Sequence, residues 1–326
     1  MMISRFHQLN DWAQKELDLA NIVLTPMKKD ASFRNYYRVV KQNQSFVLMD
    51  SKPDLENVYS YIAIGEEFKS KNIKVPTIYG ADLERGFLLI EDFGDKTLFN
   101  ELTELNVSNL YNKCTDTLLK IGKCTEMSRW KLSYFNDEEI SKELQGFNDW
   151  FLKGYTKVNV NKRVLDEVFT LLIKVANQQP QICIHRDYHS RNLMVLKDLS
   201  LGILDYQDAS IGPLTYDLVS LLRDCYVVWP NEKVLNWVSD FYLKVKENMN
   251  LKNFSLNQFI YWFDMMGLQR HMKAIFIFAR KFLRDNSSVY LKDIPIALKY
   301  IIDVSSEYKE LTKFNQLISQ NVFSNL

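Results

Sequence analysis

Cysteine, glycine and proline are scarce in this chain, and neither sign of charge predominates. Its 326 residues include four scattered cysteines (Cys114, Cys124, Cys183 and Cys225) with no C-x-x-C spacing, which argues against a disulfide scaffold or a cysteine-rich zinc site. Ten glycines and seven prolines form neither a G-x-G-x-x-G turn nor a Walker-type phosphate loop. The 41 basic and 40 acidic residues leave a net charge of +1, a balance that speaks against a bulk nucleic-acid or anionic-membrane binder. No uninterrupted apolar run approaches the roughly 20 residues that span a bilayer. Met1–His7 holds no apolar signal core. The expectation is a cytoplasmic protein in a reducing compartment, with no nucleic-acid and no membrane partner.

What the chain does have is apolar substance, 47% of its residues, enough for a sizeable core and about two lobes. Apolar positions Ile3, Phe6, Leu9, Trp12, Ala13, Leu17 and Ala20 predict a helix over 3–20. Strand-like runs follow at 22–24, 36–40 and 46–49, the last two separated by a turn at 41–45 that suggests a hairpin. A helix over 54–70 and strands near 77–81 and 86–91 complete this part. Beyond Asp95 the pattern is mainly helical: 107–127, 137–153, 161–178, 214–226, 232–249, 255–284 and 292–319. Strands first and helices later predict an α+β architecture. The boundary falls near Glu91-Asp92-Phe93-Gly94, giving lobes 1–92 and 93–326.

The densest chemistry is the run His185-Arg186-Asp187-Tyr188-His189-Ser190-Arg191-Asn192, followed by Leu204-Asp205-Tyr206-Gln207-Asp208. It has the form H-R-D-x-x-x-x-N of a kinase catalytic loop. Phosphoryl transfer needs a base near the acceptor hydroxyl and oxygen ligands for Mg²⁺. Asp187 is the candidate base, and Asn192 and Asp205 are the candidate metal ligands. His185 reads as a structural hydrogen-bond partner, and Asp217 as a support of the loop. His189 and Arg191 either face an acceptor or are solvated. Gln207 and Asp208 either contact the acceptor or stabilise a turn.

At the presumed nucleotide end, Ala31 and Ser32 are small enough to let backbone N–H groups approach a phosphate, and Arg34 adds charge. An ordinary hairpin turn is the competing reading. Backbone groups at Glu91 and Phe93 would meet an adenine edge at a hinge, or simply end a strand. Towards the C-terminus, a helical projection of 264–284 puts Arg270, Lys273, Arg280, Lys281 and Arg284 on one side. Such a stripe is either a solvated face or, through its planar guanidinium groups, a site for a carboxylate or phosphate.

The set at His185–Asn192, with Leu204-Asp205-Tyr206 and Tyr216-Asp217-Leu218, resembles the aminoglycoside phosphotransferase/choline kinase branch of the protein-kinase-like fold. Four further segments narrow the resemblance: Asp30–Arg34, Val47–Asp50, Leu204–Ala209 with Gly212-Pro213 and Leu221–Asp224, and Gly267–His271 with Phe278–Arg280 and Arg284-Asp285. They are similar to bacterial cell-wall sugar kinases acting on the anomeric hydroxyl of N-acetylmuramate and N-acetylglucosamine. The resemblance implies a small antiparallel-sheet N-lobe, a larger helical C-lobe, ATP and Mg²⁺ as cosubstrates, and a sugar acceptor contacted by His189, Arg191, Gln207, Asp208, Arg270, Lys273 and Arg280. It further implies peptidoglycan recycling and a link to a sugar-1-phosphate nucleotidyltransferase. One departure stands out. Kinases of this fold carry a basic residue on the third strand, where this chain has Met49, which leaves phosphate neutralisation to Arg34, Arg38 or Lys52. The alternatives are a kinase of another small alcohol (an aminoglycoside, choline or a homoserine-like acceptor) and a nucleotide-binding pseudokinase.

Overall fold

The structure, a computed structural model, describes residues 4–27, 34–52 and 58–323. They fold into two compact units. One is drawn from Met1–Glu101, Met127–Lys131 and Asn192–Asp208, the other from Leu102–Glu126, Leu132–Arg191 and Ala209–Leu326. Among the described residues no helix is long and apolar enough to cross a membrane.

The first unit is built on a five-stranded antiparallel sheet of β1 (Thr25–Pro26), β2 (Asn35–Lys41), β3 (Gln44–Asp50), β4 (Ile78–Asp82) and β5 (Phe87–Glu91), in the order β1-β2-β3-β5-β4. The expected β2–β3 hairpin forms, and Gln42 in its turn takes φ +55°. The expected strand at 22–24 does not: that segment has no ladder partner, and only Thr25 and Pro26 pair, with Arg38 and Tyr37. Helix α1 (Arg5–Leu17) is capped by the Ser4 hydroxyl, which accepts from the His7 N–H. It buries Leu9, Trp12, Ala13 and Leu17 against Val39, Phe46, Leu48, Phe87 and Leu89 of the sheet. Each large side chain so buried contributes about 1.5–3 kcal/mol. Helix α2 (Val58–Ser70) turns Tyr61, Ile64 and Phe68 inward.

A distant piece of chain completes this unit. Leu193–Val195 and Leu201–Ile203 pair as an antiparallel hairpin. Its N–H groups at Val195 and Ile203 donate to the carbonyls of Lys96 and Lys74, both at 2.8 Å.

The second unit is mainly helical: α3 (Val107–Gly122), α4 (Asp137–Gly146), α5 (Lys162–Gln178), α6 (Tyr216–Leu222), α7 (Asn231–Asn248), α8 (Leu256–Asp285), α9 (Ile294–Ser306) and α10 (Thr312–Asn321). Strand Ser210–Pro213 lies antiparallel to Gln181–Ile184 and parallel to Ser133–Tyr134. Helix α8, 30 residues long, packs against α4, α5, α6, α7 and α9. Two expected helices differ. The one over 137–153 continues from α4 as a π-helix, Phe147–Tyr155. The one over 292–319 breaks at Tyr308, whose backbone is extended (φ −120°, ψ 120°). The Asn315 amide there donates to the Ile302 carbonyl at 2.7 Å and to Ser305 Oγ at 2.9 Å, which ties α10 back onto α9.

Candidate active site

In the second unit, the catalytic-loop segment leaves the strand Gln181–Ile184 and turns sharply. Arg186 takes φ +78°. The N–H groups of His185 and Arg186 donate to the carboxylate of Asp217 in the first turn of α6, at 2.5 and 3.0 Å. Asp217 therefore holds the turn. His185 is fully buried, and its ring Nδ1 accepts from the Asp187 N–H at 3.3 Å. Further along, the Ser190 N–H donates to Asp224 at 2.9 Å.

Asp187, its side chain 37% exposed, meets two cations of α8. Lys273 Nζ lies 3.4 Å and Arg270 Nη2 3.8 Å from its Oδ1. Both cations are themselves held. Lys273 donates to the Tyr216 hydroxyl at 3.2 Å and faces Glu143 at 3.6 Å. Arg270 donates to the Tyr216 hydroxyl and to Ser220 Oγ, each at 2.9 Å, and lies over the Tyr216 ring. Glu143 also receives Gln269 at 2.5 Å and Arg186 at 3.3 Å. Burial alone would raise the Asp187 carboxyl. The charges of Lys273 and then Arg270, with His189 and His185 behind them, outweigh it and hold Asp187 well below the usual carboxylate range. Asp187 is thus an ionised acceptor aimed by fixed cations.

Of the other loop candidates, His189 stands edge-on to Tyr226 with centroids 5.6 Å apart. Arg191 lies over the same ring at 3.5 Å. Arg280 is not with Arg270 and Lys273 at Asp187; its guanidinium lies over Phe276.

In the first unit, the hairpin ladder runs one step past its strands. The Leu204 N–H donates to the Asn192 carbonyl at 2.9 Å, which brings Asn192 and Asp205 side by side at its open end. Their side chains are 3.5 Å apart. Asp205 takes φ +60°, a left-handed conformation that Asp tolerates better than most residues. The Gln207 amide donates to Asp205 at 2.8 Å and to Asp208 at 3.3 Å. Gln207 is buried and Asp208 exposed. Among the described residues no group of three or more His, Cys, Asp or Glu side chains forms a metal cage. One carboxylate beside one amide oxygen nevertheless suits Mg²⁺, which keeps several waters and takes substrate phosphates for the rest of its octahedron.

The nucleotide-end candidates are mixed. Ala31 and Ser32 lie outside the described residues. Arg34 is buried, touches Tyr36, and places Nη1 3.9 Å from Asp205. Glu91 is occupied structurally: its carboxylate accepts from the Thr77 N–H and hydroxyl, and its own N–H donates to the Thr77 carbonyl. The Phe93 ring lies so close over Gly202 that a Cβ there would be 2.5 Å away. Met49 is fully buried, paired with Tyr36 and Leu88. Arg38 makes a two-pronged ion pair with Asp92, at 2.6 and 3.0 Å, and a further one with Asp95. Glu66 and Glu67 of α2 face Arg129 and Lys71.

Sequence reasoning missed Glu143, and it missed Tyr216 as the hydroxyl shared by Arg270 and Lys273. Nothing local marks either one. The only signal was the acidic first turn of α4, Asp137-Glu138-Glu139, which announced a helix start and no site.

A loop-borne aspartate beside two cations, and a hairpin presenting Asn and Asp side by side, are groups that phosphoryl transfer calls for. The chain belongs to the phosphotransferase enzyme family, whose pattern matches residues 23–248. It is a small-molecule kinase, and the family implies use of a nucleotide. It is 34% identical, over 97% of its length and 96% of the relative's, to an N-acetylmuramate/N-acetylglucosamine kinase of Pseudomonas putida. It is 31% identical, over 97% and 95%, to one of Neisseria meningitidis. Among solved structures it resembles the choline kinase LicA of Streptococcus pneumoniae, with TM-score 0.65, 14% identity, and 93% of this chain and 100% of that one covered. An ADP-bound aminoglycoside phosphotransferase matches with TM-score 0.60, 12% identity, and 91% and 98% covered. The fold is the expected α+β protein-kinase-like one, with an antiparallel sheet in the N-terminal part and a mostly helical remainder.

Proposed function

We propose that this protein transfers the γ-phosphoryl group of ATP to the anomeric hydroxyl of N-acetylmuramate, N-acetylglucosamine or both. The bond from the γ-phosphorus to its bridging oxygen breaks and ADP leaves, while a bond from that phosphorus to the anomeric oxygen forms. Asp187 accepts a hydrogen bond from the attacking hydroxyl, orients it, and takes its proton. Lys273 and Arg270 keep Asp187 ionised and aimed. Asn192 and Asp205 would hold Mg²⁺, with Gln207 orienting Asp205. Bound there, the metal would neutralise charge on the phosphates. Met49 stands on the third strand, Arg38 is taken by Asp92 and Asp95, and Lys52 is exposed, so among the described residues Arg34, 3.9 Å from Asp205, is the cation we assign to the phosphates.

Residues 1–92 would then serve the nucleotide, and 93–326 catalysis and the acceptor. A sugar 1-phosphate product fits a cytoplasmic recycling step that hands on to a sugar-1-phosphate nucleotidyltransferase.

The near full-length likeness to kinases named for these two sugars supports the acceptor. Two buried cations beside Asp187 also suit an uncharged or anionic acceptor better than a cationic one. The test is ATP consumption with each sugar, and with choline, an aminoglycoside and homoserine, by wild type and Asp187→Asn. We expect turnover of at least one amino sugar and a loss of about 10²–10⁴-fold in the variant. Preference for a cationic alcohol would replace the acceptor. ATP binding without transfer to any alcohol would indicate a pseudokinase.

A further inference from the structure

The basic residues of α8 do not share one task. Arg270 and Lys273 are engaged by Asp187, Glu143, Tyr216 and Ser220. Arg280 stands apart from them. It lies seven residues beyond Lys273, so about two turns return it to the same side of the helix. Its guanidinium reaches back over the Phe276 ring, 4.8 Å from the centroid. At about 1.5 Å per residue, that sets it only about 5 Å along the axis from the level of Lys273. The ring itself is confined, because a Cβ on Gly146 would come within 2.7 Å of it.

Among the described residues Arg280 makes no ion pair, although the charge of Asp285 acts on it from a distance. The adjacent acid, Asp285, pairs with Arg284 and Lys281. Among the described residues the buried Nε of Arg280 has no hydrogen-bond partner. Burial, and then the charge of Arg284, lowers its proton affinity. The π-helix Phe147–Tyr155 runs alongside, with Gly154 against Leu283, and π-turns concentrate at functional sites.

We propose that Arg280 binds an anionic substituent of the acceptor and so sets the enzyme's preference between a carboxylate-bearing amino sugar and its neutral counterpart. The inference rests on the sugar-kinase reading and deepens it. N-acetylmuramate carries a lactyl carboxylate where N-acetylglucosamine has a hydroxyl, and a guanidinium fork matches a carboxylate with two parallel hydrogen bonds.

Initial rates with both sugars, for wild type, Arg280→Gln and Arg280→Lys, test it, with ATP binding followed by calorimetry as a check on the fold. Arg280→Gln should lower the ratio of kcat/KM for N-acetylmuramate over N-acetylglucosamine by roughly 10–100-fold, the range of a lost charged hydrogen bond. Arg280→Lys should restore part of the ratio, since it keeps the charge without the fork. An unchanged ratio, or equal loss with both sugars at intact ATP affinity, would overturn the assignment while leaving the sugar-kinase reading in place. Should Arg280→Gln lose ATP binding, the ratio in Arg280→Lys decides. A wild type that binds ATP yet phosphorylates neither sugar would overturn both.

Discussion

Asp187 shows what a single residue gains from neighbours far away in sequence. Its own loop supplies position, through His185 and the two N–H groups held by Asp217. Its charge state comes from α8, where Lys273 and then Arg270 overcome burial and keep it ionised. Removing Lys273 should therefore do two things. In Lys273→Met the carboxyl climbs back towards the ordinary value, so the pH at which Asp187 protonates rises. The acid limb of the kcat profile should move up by about one unit or more. At pH 7 kcat should also fall, by about 10–100-fold, as aim is lost. Rate–pH curves for both proteins check this, and an unmoved acid limb would mean that Arg270 alone sets the carboxylate. At this scale Asp187, Asn192 and Asp205 stood out as candidates because phosphoryl transfer demands particular residue types at short spacing. Glu143 was not, since it joins Gln269, Arg186 and Lys273 only through folding.

At the scale of elements, periodicity located most helices, and it failed where a side chain overrides the local pattern. Asn315 and Tyr308 end a run that reads as one helix, and the switch from α4 into a π-helix leaves no mark in apolar spacing. Helix α2 offers a sharper case. Gly65 sits in its interior, where alanine ordinarily gains about 1 kcal/mol. Here a Cβ would lie 2.6 Å from the hydroxyl of Tyr206. That ring is fully buried and stacked on Tyr61 at 4.7 Å, so it has little room to retreat. Gly65→Ala should reverse the usual sign and destabilise by about 1–3 kcal/mol through overpacking. Because Tyr206 follows Asp205 in the chain, Mg²⁺-dependent ATP binding should weaken with it. Thermal denaturation and metal-dependent calorimetry would show both effects. A higher Tm would instead mean that the ring gives way.

For the molecule as a whole, strand-rich and helix-rich stretches were readable. The return of residues 192–208 to the first unit was not, because that hairpin is joined to Lys74 and Lys96 by backbone bonds, and to the Lys74 ammonium through Asp198 and Ser200, contacts that exist only once the chain has folded. Acid stability depends on another such long-range site. His271, named at the outset only as part of a motif, is 1% exposed, stacks on Tyr300 at 4.6 Å with ring planes 9° apart, and donates Nε2–H to the Arg223 carbonyl at 2.9 Å. Burial above all, together with the charges of Arg223 and Arg270, depresses its pKa from 6.5 to about 3. The folded form therefore keeps it neutral while the unfolded chain protonates it below about 6.5. The stability it contributes is complete above that pH and drains away as the pH falls towards 3, with a slope of at most about 1.4 kcal/mol per unit. Depressed carboxylates such as Asp187 add their own loss only below about 4, the unfolded carboxylate value. Burial raises the carboxyls of Asp217 and Asp293, which give a dependence of opposite sign above that value. Because both proteins share it, their difference between pH 6.5 and 4.5 isolates the histidine. His271→Phe preserves a ring against Tyr300 and removes the titrating group, so it should lower stability at pH 7 by about 1–3 kcal/mol, the cost of leaving the Arg223 carbonyl unbonded. It should also flatten the pH dependence over that window. Urea midpoints measured from pH 7 to 4.5 for the two proteins would show the curves converging in acid, whereas parallel curves would place the acid sensitivity on other groups.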